Sequence, residues 1–213
     1  MEKMLESYVF CQGWIERVMN LVTTAFFSIL PNGSPTHVFQ VSRGIRQGDP
    51  FSPFLFILMA EGLSRLLQTK AENGELRGIH LMDNMEPQTH QQFVDDTMLM
   101  GHPSIQEARS LKNCLTLFAK ASGLAVNQTK SQVFFLNTAP ATQRNILRIL
   151  GFSKGSFPSK YLGVPLGSQK LKRTSWFELL DKMKPKLANW TLRPLNLPSR
   201  LVLLTSILQV MLI

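Results

Sequence analysis

Apolar residues recur at helical spacing along several stretches of this 213-residue chain, and one short apolar stretch with strand-forming residues is interrupted by two acids. Over residues 1–24, Trp14, Ile15, Val18, Leu21 and Val22 share one face of a predicted helix, with Glu2, Glu6 and Glu16 on its solvated side. A second helix is expected after a glycine-containing loop, with Ser52 as its cap and Pro53 as its first position. Phe54, Ile57, Leu58 and Glu61 then recur so that one face packs inward. Ser104 with Glu107 forms a capping box opening a helix along Ile105, Ala108, Leu111, Leu115 and Phe118, closed by Gly123 and packed beneath the strands that precede it. Residues 138–151 predict a shorter helix with Ile146, Leu147 and Leu150 inward, and Pro158, Pro165, Pro194 and Pro198 punctuate the remainder of the chain. Gln92, Phe93 and Val94 lead into a hairpin, and Thr97, Met98, Leu99 and Met100 lead out of it. Helices alternating with short strands give an α+β expectation rather than a parallel doubly wound sheet.

The hairpin carries the chain's most informative chemistry. Asp95 and Asp96 are adjacent in an apolar setting, where two carboxylates repel one another and resist desolvation. A solvated hairpin tip accounts for them, and a bound divalent cation, which prefers oxygen ligands, accounts for them as well. The two readings are compatible. The loop over residues 43–53 (RGIRQGDPFSP) is the second candidate, since Gly44 and Gly48 permit backbone conformations closed to other residues and leave Arg46 and Gln47 presentable.

Together these two segments resemble the reverse transcriptase family, in particular the non-LTR, LINE-type retrotransposon polymerases in their plant-like form. Four further stretches match in the same order: residues 27–35 (FSILPNGSP), 122–131 (SGLAVNQTKS), 160–167 (KYLGVPLG) and the basic helical region 176–204. The resemblance implies a polymerase palm, a small antiparallel sheet packed on helices, over residues 1–167. It implies the start of a basic, thumb-like helical region over 168–213, with the fingers absent. It further implies two-metal nucleotidyl transfer with two Mg²⁺ ions in the complete enzyme, Asp95 as the main ligand and Asp96 as the supporting one. Arg46, Gln47 and Gly48 would lie against the nascent base pair and the incoming deoxynucleoside triphosphate. Lys130 would approach the leaving pyrophosphate, and Tyr161, Leu162 and Gly163 would grip the primer end. The partners implied are an RNA template, a DNA primer and deoxynucleoside triphosphates.

The chain departs from the family in one place. A palm of this type draws a third carboxylate from an earlier strand, in a motif of Phe or Tyr, Asp, then an apolar residue, and no such motif occurs. Residues 1–24 resemble the helix that comes after that strand, so the strand is expected upstream of Met1. Two functions of different classes remain open: a fragment of an RNA-directed DNA polymerase, inactive as an isolated chain, or a non-catalytic nucleic-acid-binding remnant of a decayed element.

Charge sharpens the nucleic-acid expectation. The formal charge is +9, yet residues 139–213 hold 12 of the 23 Lys and Arg against only Glu178 and Asp181, while the rest of the chain is close to neutral. Lys170, Lys172, Arg173, Lys182, Lys184, Lys186, Arg193 and Arg200, interleaved with Trp176, Phe177 and Trp190, suit a surface that tracks phosphates. Lys182, Lys184 and Lys186 are its central candidates. Two cysteines, Cys11 and Cys114, exclude a disulfide framework or Cys-rich zinc knuckle and agree with a reducing, intracellular setting, nuclear or cytoplasmic. No signal-peptide pattern opens the chain, and the apolar run 201–213 is too short to span a bilayer. That run is expected to continue a packed helix, with no membrane partner.

Overall fold

The computed structural model describes residues 1–40, 44–82, 85–191, 196–202 and 205, with residues 186–191 described by backbone alone. The chain divides into two compact units, Met1–Ser131 with Thr138–Phe152, and Gln132–Asn137 with Ser153–Ile213.

In the first unit the single helix expected over 1–24 is two, α1 (Glu2–Ser7) and α2 (Gln12–Thr23). Val9 takes φ +60° at the corner, its amide donating to Glu6 O, and Phe10 stacks on Trp14 at 4.4 Å. Leu5, Ile15 and Val18 are buried, Glu2, Glu6 and Glu16 are exposed, and Leu21, expected inward, is 69% exposed. Strands β1 (Phe26–Phe27) and β2 (Phe39–Gln40) pair antiparallel around a 3-10 turn at Pro31–Gly33.

Helix α3 (Ser52–Glu72) is the spine of this unit. Its capping differs from expectation: Phe51 is the N-cap, and the Ser52 hydroxyl donates to Arg46 O at 2.6 Å instead of closing the helix. Its inward face also differs. Leu55, Met59, Leu63 and Leu67 are buried, whereas Phe54 and Ile57 are each 63% exposed. The residues from Phe54 to Met59 are all apolar, so periodicity there supplies no phase, and packing partners set it. Leu55 joins Leu5, Ile15 and Val18, while Leu63 and Leu67 join Leu76, Cys114 and Leu115. Each such buried leucine contributes about 1.5–3 kcal/mol relative to exposure.

Strands β3 (His90–Phe93) and β4 (Asp96–Leu99) form the expected hairpin, and Leu99 packs against the second cluster. Helix α4 (Ile105–Ser122) starts and ends where its sequence predicts, with Gly123 closing it in the left-handed conformation, but only half of the capping box forms: Ser104 Oγ accepts from Glu107 N, while Ser104 N donates to His102 O instead of the Glu107 carboxylate. Helix α5 (Pro140–Leu150) buries Ile146 and Leu150, and the Lys112 ammonium of α4 donates to Leu150 O at 2.8 Å, satisfying a C-terminal carbonyl.

In the second unit β5 (Gln132–Val133) pairs parallel with β6 (Ser153–Lys154), and Phe134 lies over Gly155 and 5.2 Å from Phe157. Strands β7 (Ser159–Tyr161) and β8 (Val164–Leu166) form a second hairpin. A 3-10 turn, Arg173–Trp176, leads into α6 (Phe177–Thr191), which contains Pro185. The α+β mixture stands. The single small sheet expected is instead four two-stranded ribbons among the described residues, and no strand exceeds four residues. The division into units near residue 153 is one of compactness, a different criterion from the functional boundary expected at 167/168. Among the described residues no helix is long and apolar enough to cross a membrane. Arg43, Arg193, Pro194 and most of 201–213, as well as the side chains of Lys186 and Trp190, lie outside the described residues.

Candidate catalytic hairpin and nucleotide loop

The register Phe93↔Asp96 leaves Val94 and Asp95 as a two-residue turn. Val94 takes φ +50°, a conformation that a β-branched side chain adopts only at a cost of about 1–3 kcal/mol, and it is 66% exposed, so burial does not repay the strain. Asp95 and Asp96 are both exposed, and neither carboxylate forms a hydrogen bond or ion pair with a described residue. The sequence places two repelling acids here, and no described residue pairs with them.

The base of the hairpin is pinned to α3. Ser64 Oγ donates to Gln92 Oε1 at 3.1 Å, and His90 Nε2 lies 2.9 Å from the same Ser64 Oγ. Because the one serine proton goes to Gln92, Nε2 of His90 is the donor, and Nδ1, 2.9 Å from Thr89 Oγ1, accepts. Burial holds the His90 pKa below its ordinary value, opposed by the nearby Glu61 carboxylate, so the ring in this chain of bonds is neutral. After β4, the Glu107 carboxylate, 3% exposed, accepts from Arg77 Nε at 2.8 Å and from His102 N at 3.0 Å. Both exits of the hairpin are therefore fixed by side chains of α3 and α4.

The glycine loop is held from two sides. Ile45 packs against the cluster of Leu5, Ile15, Val18 and Leu55, Ser52 binds Arg46 O, and Asp49 Oδ1 accepts from Phe51 N at 2.7 Å. Gly48 takes φ +82°, which a residue bearing Cβ adopts with strain, and Arg46, Gln47 and Gly48 are all exposed. Lys130 is exposed on a turn built by Asn127. The Asn127 Oδ1 accepts from Thr129 N and Lys130 N, each at 3.1 Å, and from Thr129 Oγ1 at 2.7 Å. Asp95, Asp96, Arg46, Gln47, Gly48 and Lys130 thus belong to one compact unit, although no hydrogen bond or ion pair joins the aspartates to Lys130.

The remaining candidates belong to the second unit. Leu162 (φ +51°) and Gly163 (φ +81°) form a two-residue turn between β7 and β8, the backbone pattern of a type I′ hairpin with a leucine where Asn or Gly is preferred. Tyr161 is half-buried with its hydroxyl shielded from solvent, while Lys160 beside it is exposed. Lys182 and Lys184 are exposed but paired, with Glu178 at 3.4 Å and Asp181 at 2.7 Å respectively.

The implied divalent cation can be tested against these residues. Asp95 and Asp96 supply hard oxygen donors that are exposed and, among the described residues, paired with no cation, which suits an ion that binds through one or two carboxylates and substrate phosphates. Among the described residues no cluster of three or more His, Cys, Asp or Glu could hold an ion without such a substrate. Sequence reasoning placed Glu107 in a capping box but missed its bonds to Arg77 and His102, and it missed the parts played by Asn127 and the Ser64–His90–Thr89 chain. Only Asn127 carried a local signal, an Asn two and three residues before the amides it accepts.

The hairpin with its two exposed aspartates and the glycine loop belong to one compact unit, and the profile of reverse transcriptases (RNA-dependent DNA polymerases) matches residues 3–166. The chain belongs to the reverse transcriptase family. It is 25% identical over 208 residues to the Retrovirus-related Pol polyprotein from type-1 retrotransposable element R2 of Popillia japonica, covering 87% of this chain and 32% of that protein. It is 28% identical over 213 residues to the corresponding polyprotein from type-2 retrotransposable element R2DM of Drosophila melanogaster, covering 96% and 19%. An uncharacterized mitochondrial protein of Arabidopsis thaliana is 38% identical over 110 residues, which make up 51% of this chain and 88% of that one. The chain thus spans a third or less of the two Pol polyproteins it matches.

Proposed function

We propose that this chain is the palm, with the beginning of a thumb, of a retrotransposon RNA-directed DNA polymerase, and that its part in nucleotidyl transfer is to position metal, nucleotide and primer. The observation carrying this reading is the strained Val94–Asp95 turn, which holds two unpaired carboxylates in solvent at the tip of a hairpin pinned at its base. Asp95 and Asp96 would hold Mg²⁺, Asp95 as the main ligand. When bound, Mg²⁺ neutralises the triphosphate and makes the primer 3′-hydroxyl a better nucleophile. Arg46, Gln47 and Gly48 would bear on the incoming deoxynucleotide and its template base, with the anchored Ile45 keeping their backbone in place. Lys130 would carry its exposed ammonium to the leaving pyrophosphate. Tyr161, Leu162 and Gly163 would support the primer end, and Lys182, Lys184 and Lys186 would track duplex phosphates.

The site supplies two carboxylates, and in-line transfer between two ions needs more oxygen ligands converging on them. On its own the 213-residue chain is therefore expected to bind cation and duplex without extending a primer. Mn²⁺ binding, monitored by water proton relaxation with primer-template and deoxynucleotide present, should be lost in Asp95→Asn and weakened in Asp96→Asn. Equal Mn²⁺ binding by the wild type and both variants would overturn the reading. A non-catalytic nucleic-acid binder, the second reading, is favoured by the concentration of basic residues beyond residue 138, and it predicts duplex binding with no Mn²⁺ site at all.

A further inference from the structure

Strand β7 alternates: Ser159 and Tyr161 are half-buried and Lys160 faces out, so the solvent-facing group of the KYLG segment is the lysine. Its ammonium donates to Glu178 Oε2, and the Lys182 ammonium, one helical turn beyond Glu178 on α6, lies 3.4 Å from Glu178 Oε1. Two cations from two different elements therefore converge on one carboxylate, one to each oxygen. All three side chains are more than half exposed, and exposed ion pairs are individually weak, so this arrangement is open to exchange.

We propose that Lys160 and Lys182 form a clamp for a single backbone phosphate of bound nucleic acid, and that Glu178 occupies the place of that phosphate when none is bound. A phosphodiester presents the same features as the carboxylate it would replace: one negative charge shared by two oxygens, each able to accept from one ammonium. The carboxylate stays charged in the resting state, because the hydrogen bond from Lys160 and then that from Lys182 hold Glu178 below its ordinary pKa. On binding, the two ammoniums exchange Glu178 for phosphate and counterions leave the nucleic acid. Lys160 immediately precedes the Tyr161–Gly163 segment, which is proposed above to support the primer end. This inference rests on the reading of the second unit as a nucleic-acid contact surface.

The test uses the full chain and a fluorescein-labelled DNA duplex, with affinity measured by anisotropy against salt concentration. Replacing Lys160 and Lys182 together by alanine is expected to lower the magnitude of the log–log salt slope by about 0.9 and to weaken binding about eightfold at roughly 0.1 M salt, the effect of losing one phosphate contact, and Lys160→Ala alone should give a smaller change in the same direction. Glu178→Gln is expected to tighten binding several-fold, and this gain should vanish when Lys160 and Lys182 are both alanine. A wild-type slope that Lys160→Ala leaves unchanged, or a Glu178→Gln gain that survives in the double-alanine background, overturns the clamp while leaving a basic contact surface intact. Salt-independent or absent binding by the wild type removes the clamp and the contact surface together.

Discussion

Replacing Val94 with glycine should stabilise this protein, although the position lies in the hairpin tip proposed to hold the metal. The left-handed backbone of Val94 stores about 1–3 kcal/mol that glycine does not incur. Against this, glycine costs about 0.5–1 kcal/mol of additional chain entropy on folding. The valine side chain is 66% exposed, so deleting it forfeits only about 0.5 kcal/mol of burial. With strain taken near the middle of its range, the balance is a gain of about 0.5–1 kcal/mol. At a urea slope of about 2 kcal/mol/M this moves the unfolding midpoint up by about 0.4 M with the slope unchanged. Thr97→Gly is the control, an exposed residue of the same hairpin with ordinary strand backbone, and it should lower the midpoint by a similar amount. The same Val94→Gly change should weaken Mn²⁺ binding, because it frees the turn that fixes Asp95. A Val94→Gly midpoint that falls as far as that of Thr97→Gly would refute the claim that strain is stored at the tip.

Leu67, fully buried between α3 and α4, should cost about 2–5 kcal/mol when changed to Ala, whereas Phe54→Ala should stay within about 0.5 kcal/mol. Comparable losses in urea unfolding would show that the inward face of α3 is assigned wrongly. His90 should make stability depend on pH in one direction only. Its folded pKa lies below 6.5, so the unfolded chain takes up the proton first as pH falls. The stabilisation it confers is full above about pH 6.5 and is lost as pH falls through the lower, folded value. The difference in unfolding free energy between wild type and His90→Gln should therefore shrink between about pH 7.5 and pH 5.5, and a constant difference would exclude the neutral ring.

How much of the protein was legible in its sequence depended on how local each signal was. Helix α4 could be read almost to its ends because Ser104 and Gly123 act on their own neighbours, and the hairpin could be read because two polar residues interrupt a run of strand formers. The face of α3 could not, because Phe54, Leu55, Phe56, Ile57, Leu58 and Met59 offer every phase equally and the choice is made by α1, α2 and α4. The corner at Val9 was hidden for the same reason, lying between Tyr8 and Phe10 with no glycine or proline to mark it. The aspartates, the glycine loop and Lys130 were legible as residue types in order. How each is held was not: the Ser64–His90–Thr89 chain spans 26 residues and the Arg77–Glu107 pair spans 30, separations at which one sequence carries no pairing information.

Helix α3 also works as a ruler. Ser52 in its first turn fixes the carbonyl of Arg46, and Ser64 twelve residues later fixes the base of the aspartate hairpin. At about 1.5 Å per residue these two anchor points stand about 18 Å apart along the axis, and their relative azimuth is set by about 100° per residue. Side chains between them on the exposed face can vary without altering that measure. A single inserted or deleted residue between Ser52 and Ser64 cannot, since it would swing the loop around the helix by more than a quarter turn relative to the hairpin. In this stretch the protein should accept substitutions far more readily than changes of length.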